Sequence, residues 1–331
     1  MSNYEAEPSI RWPRIILYDL LSVSHKEYFY NDKEMKSIME ALLFCVIILL
    51  GIWLYRKKTR PIEGFQQSER FLMKSDQESY DGFYSEIYDS LMLPEERSKY
   101  EVGELIKTLQ PDARYSRLLE VGSGTGAFIN EWKSRGFVVS GIDASEAMVA
   151  KSKSKYPSVN VIKANVLDPM CYDRAEYTHI FCMDFTIYEL SDIRGFFKNC
   201  YYWLQGNGYL VVHLADRERF NALIPAAKPV ILDSLEQLGP ERIVKTEIDF
   251  LDFIYTSDYV TKGSSVRHVE TFQDKQTQNI RQNERTLTFY SMEEVLALAR
   301  EAGFVGRGGF SLAGGPRRDA AQQILILERT S

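Results

Sequence analysis

The stretch Leu118–Gly126, LLEVGSGTG, decides the fold of this chain. An apolar run ends in the carboxylate of Glu120, and glycines follow at alternate positions before a helical pattern opens at Ala127. Glycine lets the backbone turn sharply and lets a ligand approach it closely. The helix start beyond the loop offers free N–H groups and the positive end of the helix dipole. The stretch therefore predicts a cofactor cradle at the first β-to-α crossing of a parallel sheet.

Strands and helices alternate after this loop. The predicted strands are 117–121, 138–142, 159–163, 179–183 and 209–213. The predicted helices are 127–135, 145–155 and 191–203. Such alternation is typical of a Rossmann-like α/β fold, with a parallel sheet and helices on both faces. In this fold, ligands bind at the carboxyl ends of the strands.

The segment 216–290 does not continue this alternation of strands and helices. Alternating apolar residues near 243–255, 266–272 and 285–289 predict antiparallel strands with one solvated face. An insertion at this point in the chain could form a cap over the substrate. Its aromatic residues could line an apolar pocket or form a core of the insertion itself: Phe250, Phe253, Tyr255 and Tyr259.

The last forty residues return to the α/β pattern. Residues 291–303 predict a capped amphipathic helix. A glycine-rich loop follows, and residues 323–327 predict the final strand.

The run Ile38–Tyr55, IMEALLFCVIILLGIWLY, carries a single charge near its start. At ~1.5 Å per residue it would span about 27 Å, close to the ~30 Å hydrocarbon core of a bilayer. Trp53 and Tyr55 suit a membrane interface, and the basic cluster 56–60 predicts that residues 56–331 lie in the cytosol. A buried core helix is the alternative, and a cleaved signal peptide is disfavoured because the run starts far from the first residue.

Composition and charge exclude several classes of protein. The formal net charge is −6, and the globular part has no long basic run, which argues against a nucleic-acid partner. The chain contains no C-x-x-C pair and no His cluster, so we expect neither a metal site nor a disulfide framework. The cysteines are Cys45, Cys171, Cys182 and Cys200.

Glu120 separates two classes of cofactor. The loop fits the loose dinucleotide pattern, and Asp143 at the end of the second strand would bind ribose hydroxyls for either cofactor. A dinucleotide would place its pyrophosphate at this turn, where the Glu120 carboxylate would repel it. A sulfonium cofactor with an amino-acid tail instead brings an ammonium, attracted by about 4 kcal/mol at ~4 Å and an effective dielectric of ~20 before desolvation. The sign of the charge favours S-adenosylmethionine.

The chain also resembles class I S-adenosylmethionine-dependent methyltransferases of the small-molecule type. Four stretches look like their successive motifs: LLEVGSGTG at 118–126, SGIDASEAM at 140–148, VIKANVLD at 161–168 and HIFCMDFTIYEL at 179–190. SYDGFYSEIYDSLM at 79–92 and TFYSMEEVLALAREAGF at 288–304 are similar to segments that flank this core. The resemblance implies a seven-stranded sheet whose last strand is antiparallel.

The resemblance also implies roles for individual residues. Glu120 would help to hold the methionine ammonium, and Asp143 would bind the ribose. Asn165 stands where the family usually has an aspartate facing the adenine amine, and its amide oxygen can still accept from that amine. The other expected cofactor contacts are Gly122, Ser123, Gly124, Gly126, Ala144, Met148, Val166 and Met183.

Three tyrosines recur at helical spacing before this core. Tyr80, Tyr84 and Tyr88 would share one face of a helix. This face is either a core stripe or part of a lid helix whose tyrosines, Tyr84 and Tyr88 among them, contact the cofactor.

The reaction implied is an in-line displacement at the cofactor's methyl group, for which the protein mainly aligns the reactants and excludes water. Candidate catalytic residues are Tyr188, Glu189 and His213; His213 could equally satisfy local hydrogen bonds. The acceptor would be a small molecule, a lipid or a protein side chain. Two alternatives remain: an NAD(P)-dependent oxidoreductase, and a degenerate methyltransferase-fold scaffold at a membrane. The scaffold is supported by Asn165 and by Thr178, which stands where the family often has an acid ahead of the fourth strand. The intact Glu120, glycines and Asp143 weigh against it.

The predicted organisation follows from these features. It comprises a tail at 1–37, a transmembrane helix at 38–55, a polar linker at 56–79 and a methyltransferase domain at 80–331 with its insertion at 216–290.

Overall fold

The computed structural model describes residues 32–58, 69–227, 243–263, 265–316 and 319–330. The chain divides into two units, Met1–Arg60 and Pro61–Ser331. The predicted tail lies outside the described residues up to residue 31.

The described part of the first unit is one long helix, α1 (Asp32–Lys58). Its segment Lys36–Trp53 has a mean hydropathy of 2.0, and none of this segment is buried. By length and composition this helix could cross a membrane, whereas a core helix of a soluble protein would bury most of such a segment. The helix extends beyond the predicted limits of 38–55 at both ends.

The second unit is built around a seven-stranded sheet in the order β11-β12-β6-β5-β2-β3-β4. Its strands are β2 (Arg117–Val121), β3 (Val138–Asp143), β4 (Asn160–Lys163), β5 (Tyr177–Cys182), β6 (Leu204–Ala215), β11 (Phe304–Ser311) and β12 (Gln322–Arg329). Strands β2 to β6 pair in parallel, whereas β12 is antiparallel to both β6 and β11. The predicted fold class, with an antiparallel last strand, is confirmed.

Helices cover both faces of this sheet. They are α2 (Gly82–Met92), α3 (Pro94–Leu109), α4 (Ala127–Ser134), α5 (Glu146–Lys155), α6 (Ile193–Trp203) and α7 (Met292–Glu301). Side chains alternate along a strand, so neighbouring residues enter different cores. Leu118 packs in a cluster with residues of α3 and α4, whereas Leu119 packs in a cluster with residues of α6 and α7.

A second sheet of five strands has the order β1-β10-β9-β8-β7. Its strands are β1 (Phe71–Ser75), β7 (Lys245–Asp249), β8 (Phe253–Lys262), β9 (Ser265–Asp274) and β10 (Ile280–Thr288). Four of them pair antiparallel, as the alternation in the insertion predicts, while β1 pairs in parallel with β10. We call this second sheet the cap sheet.

The structure differs from the sequence prediction in three stretches. Part of the predicted linker is strand β1, because Phe71–Ser75 finds a partner in β10, which lies far away in sequence. The predicted run 243–255 contains a turn and contributes to two strands, β7 and β8. The glycine-rich stretch after α7 is strand β11 rather than a loop, with an irregular register between Gly306 and Gly308.

Candidate active site

The glycine loop after β2 is held in left-handed backbone conformations. Gly122, Gly124 and Gly126 have φ angles of +68°, +52° and +82°, which side chains with a Cβ rarely adopt. A Cβ at Gly122 would lie 2.5 Å from Cγ2 of Thr186, whereas a Cβ at Gly124 would meet nothing within 4 Å. Gly122 is therefore required for packing, and the open space at Gly124 leaves room for a ligand to approach the backbone.

Asp143 anchors this loop. Its Oδ2 accepts a hydrogen bond from the Gly124 N–H at 2.8 Å, and its Oδ1 accepts one from the Ser145 N–H at 2.8 Å. Burial raises the pKa of Asp143, and the two backbone hydrogen bonds oppose that rise. Each carboxylate oxygen has a further lone pair, so Asp143 can still accept from ribose hydroxyls.

Glu120 carries a buried carboxylate at the base of the loop. Its side chain is 4% exposed, and among the described residues its Oε2 has no hydrogen-bond partner. Burial raises the pKa of Glu120, the Arg97 guanidinium lowers it, and the carboxylates of Glu101, Asp143 and Asp184 raise it further. A buried carboxylate oxygen without a partner costs free energy unless a cationic or hydrogen-bonding group binds there.

One cavity of about 240 Å³ brings most of the predicted residues together. The predicted cofactor residues that line it are Tyr84, Tyr88, Glu120, Gly122, Ser123, Gly124, Asp143, Ala144, Met148, Asn165, Val166 and Met183. The catalytic candidate Glu189 lines the same cavity. The cavity therefore combines the carboxyl ends of β2, β3, β4 and β5, as the fold predicts.

Three predicted residues do not line this cavity: Gly126, Tyr188 and His213. Gly126 caps α4 and packs against Ser152. The Tyr188 hydroxyl accepts from the Ala215 N–H at 2.7 Å, and its ring stacks on Phe289. Tyr188 therefore holds the turn after β5 onto β6, and burial raises the pKa of its hydroxyl, which makes it a poor base.

His213 is fully buried in β6. Its ring stacks on that of Phe185 with centroids 5.6 Å apart. The ring lies within the core instead of lining the cavity, so the alternative of a structural histidine fits its position better than a catalytic role.

Asn165 lines the cavity in the loop that follows β4. Its Oδ1 accepts from the Leu167 N–H at 3.0 Å, which fixes the direction of the amide. A second lone pair on that oxygen remains for an adenine amine.

The tyrosine stripe, which comprises Tyr80, Tyr84 and Tyr88, forms part of the cavity wall. Helix α2 starts at Gly82 with Asp81 as its N-cap, so Tyr80 precedes the helix, while Tyr84 and Tyr88 lie within it. All three tyrosines line the cavity. The stripe therefore belongs to both a core and a site wall, because Tyr84 is only 1% exposed and packs with Phe272 of the cap sheet.

The cap sheet supplies the remaining wall through a buried polar network. The Glu270 carboxylate accepts hydrogen bonds from Tyr84 at 3.0 Å, Tyr255 at 2.7 Å and Arg285 at 2.5 Å. Arg285 also donates to Nδ1 of His268 at 3.1 Å. Burial and the Arg285 charge lower the pKa of His268 well below its usual range, so this imidazole is neutral.

Two of the insertion's aromatic residues illustrate both expected roles. Tyr255 is buried in a core cluster, whereas Tyr259 lines the cavity. Phe250 and Phe253 belong to the same cluster as Tyr255.

The sequence predictions missed several cavity residues, notably Arg97, Thr186, His268 and Arg285. Arg97 forms an ion pair with Asp184 and approaches Glu101 at 3.7 Å. In β10, Arg281, Asn283 and Arg285 alternate on the buried face, so period-two alternation of polar residues is the one sequence signal that could have indicated Arg285.

Comparison with known proteins agrees with this geometry. Residues 119–212 match the methyltransferase domain family. A solved S-adenosylmethionine-dependent methyltransferase from Clostridium acetobutylicum ATCC 824 is similar to this chain with a TM-score of 0.55 and 12% identity, over 75% of this chain and 98% of that chain. The CcbJ methyltransferase from Streptomyces caelestis is similar with a TM-score of 0.56 and 15% identity, over 76% and 98%. The chain therefore has the fold of class I S-adenosylmethionine-dependent methyltransferases.

A third similar structure and one sequence relative extend the comparison with this class I methyltransferase fold. The sugar N-methyltransferase KedS8 from Streptoalloteichus sp. ATCC 53650 is similar with a TM-score of 0.53 and 18% identity, over 71% of this chain and 87% of that chain. A protein of Geobacillus sp. (strain WCH70), provisionally named a methyltransferase, is 29% identical over 100 residues. That match covers 29% of this chain and 40% of the relative.

The residues of this cavity fit S-adenosylmethionine. Among the described residues, the buried Glu120 Oε2 and Ser123 Oγ both lack a hydrogen-bond partner beside the glycine loop. A cationic ammonium would satisfy Glu120, and a polar group of the ligand would satisfy Ser123.

Proposed function

We propose that this protein transfers a methyl group from S-adenosylmethionine to a small molecule, a lipid or a protein side chain. The observation that carries the proposal is the partnerless buried oxygen of Glu120, beside a glycine loop that Asp143 holds open. When bound, S-adenosylmethionine supplies an electrophilic methyl group on a sulfonium sulfur. Glu120 would bind its ammonium, Asp143 its ribose, and Ala144, Met148 and Asn165 would surround its adenine.

The chain's own groups would align the reactants and exclude water. Tyr84 and Tyr88 on α2, with Met92 and Pro94, form one wall of the cavity. Ion pairs of Lys155 with Asp89 and Glu95 hold this wall against α5. Such enclosure strengthens electrostatic interactions at the site and keeps water from the reacting groups.

Titration of the full-length protein in detergent tests the cofactor. We expect binding of S-adenosylmethionine and of its demethylated product, S-adenosylhomocysteine, and no binding of NADH, because Glu120 repels a pyrophosphate. Calorimetry gives both affinities, with heat-unfolded protein as the control. Binding of NADH alone would favour the oxidoreductase alternative, and a failure to bind any of the three would favour the scaffold.

We also propose that α1 anchors the protein in a membrane, with the methyltransferase domain in the cytosol. The support is an apolar helix with exposed side chains, followed by the basic residues Arg56, Lys57, Lys58 and Arg60. The full-length protein should remain in the membrane fraction after extraction with alkaline carbonate, because apolar burial holds it there rather than charge. Recovery in the soluble fraction would contradict the anchor, and protease accessibility of a C-terminal epitope in sealed vesicles would report the orientation.

A further inference from the structure

One part of the cavity wall contains none of the residues assigned to the cofactor. We call it the acceptor wall, and it comprises Tyr80, Phe185, Glu189, Tyr259, His268 and Arg285. It combines residues of the cap sheet, the turn that follows β5 and Tyr80, which precedes α2. The charges and hydrogen bonds of this wall indicate which chemical group it can receive.

The positive charges of the cavity are already neutralised. Arg285 donates to the Glu270 carboxylate at 2.5 Å, with the guanidinium stacked over the ring of Tyr80 at 4.9 Å. Arg97 is paired with Asp184. An anionic acceptor would therefore meet guanidinium groups whose charge a carboxylate already balances.

Both ring nitrogens of His268 already form hydrogen bonds. A guanidinium can only donate, so the hydrogen bond from Arg285 requires that Nδ1 of His268 is an acceptor. The proton of the neutral ring is then on Nε2, which lies 2.9 Å from the Ser257 hydroxyl and donates to it. His268 is consequently not available as a base.

Glu189 is the remaining ionisable group of the acceptor wall with capacity for a ligand. Its Oε1 accepts from the Tyr80 hydroxyl at 2.5 Å, and no described residue forms an ion pair with it. Burial raises the pKa of Glu189, the Arg285 charge and the Tyr80 hydrogen bond lower it, and Asp143 and Asp184 raise it. The Oε2 atom can thus accept a hydrogen bond from a ligand.

Aromatic rings line the same cavity as Glu189. Phe185 and Tyr259 are among them, and aromatic faces attract ammonium groups. Four carboxylates and two guanidinium groups line the cavity among the described residues, so a cation also improves its charge balance.

We propose that the acceptor wall binds a primary or secondary amine in its ammonium form, with Glu189 as the counter-ion and the acceptor of its proton. This inference rests on the proposed function, because it names the substrate class for the same site. In the proton transfer, an N–H bond breaks, an O–H bond forms on Glu189, and the electron pair remains on nitrogen as its lone pair. The neutral amine is then the nucleophile, and Glu189 releases the proton to solvent as the product leaves.

Binding of two isosteric probes tests the substrate class on the full-length protein in detergent, saturated with S-adenosylhomocysteine. Benzylamine is protonated at neutral pH, whereas benzyl alcohol has the same ring and no charge. We expect benzylamine to bind at least tenfold more tightly to the wild type, as measured by ligand-observed NMR titration. Glu189→Gln should abolish this preference, and Glu131→Gln, which removes a carboxylate on α4, should retain it.

The outcomes separate the inference from the function on which it rests. Equal affinity of the two probes, a preference for the alcohol, or binding of neither probe would overturn the amine proposal, whatever the variants show. Affinity for S-adenosylhomocysteine is measured separately: it should be unchanged in Glu189→Gln, which also shows that the variant is folded. Loss of that affinity in the wild type would instead overturn the proposed function.

Discussion

Glu120→Gln should weaken the binding of S-adenosylmethionine by ten- to a hundredfold. The variant keeps the shape of the side chain and removes the charge that would pair with the cofactor's ammonium. A single charge interaction of this kind is worth about 4 kcal/mol at ~4 Å before desolvation, and each 1.4 kcal/mol is tenfold in affinity. Isothermal titration calorimetry of the full-length protein in detergent gives the change, with Glu131→Gln as the matched control.

The affinity of the wild type should also depend on pH. Burial raises the pKa of Glu120 above its ordinary value, and a protonated carboxyl cannot attract an ammonium. The affinity should therefore rise with pH while Glu120 ionises, and Glu120→Gln should lack this rise. The Arg97 charge lowers the pKa of Glu120, whereas the carboxylates of Glu101, Asp143 and Asp184 raise it. The pH at which the affinity changes therefore depends on all of these charges. An unchanged affinity in the variant would remove the main support for the proposed cofactor.

Glu270→Leu should destabilise the domain by about 3–5 kcal/mol, because it leaves the Arg285 guanidinium buried without its counter-ion. Glu270 is fully buried and Arg285 is 6% exposed, so the pair is largely shielded from solvent. Urea unfolding followed by tryptophan fluorescence measures the effect. The double variant Glu270→Leu with Arg285→Met should recover much of the loss, since it removes both charges.

The same sheet offers a matched control. Arg267 and Glu284 form an ion pair at 3.5 Å on the cap sheet, with side chains that are 56% and 24% exposed. Exposed pairs contribute ~0–1 kcal/mol, so Glu284→Leu should change the free energy of unfolding by about 1 kcal/mol or less. If Glu270→Leu and Glu284→Leu lower the free energy of unfolding equally, burial of the ion pair does not control its contribution to stability.

Local sequence sufficed for the cofactor half of the site. The loop from Glu120 to Gly126 and the acid at Asp143 belong to consecutive β-α units, where spacing alone places them at one edge of a parallel sheet. Their side chains needed no distant partner to be recognised. The prediction of a class I methyltransferase fold is confirmed for the same reason.

Pairings between distant segments were not predictable in this way. Arg285 reads as an ordinary polar residue of a strand until Glu270 and Tyr84 are placed beside it. Strand β11 reads as a loop because its glycines have low strand propensity, yet Gly309 lies so close to the Ile324 backbone that a Cβ would clash with it. His213 is a candidate because its strand ends near the site, with a structural role as the alternative; its side chain is fully buried and does not line the cavity.

The parallel pairing of β1 with β10 has a consequence for synthesis. Phe71 pairs with Ile280, which the ribosome adds about 210 residues later, roughly 10–40 s at typical rates of translation. Strands β2 to β5 are close together in sequence. The glycine loop and Asp143 can therefore come together before β10, the partner of β1, has been synthesised. A nascent chain should thus acquire the cofactor half of its pocket first and complete the acceptor wall near the end of translation.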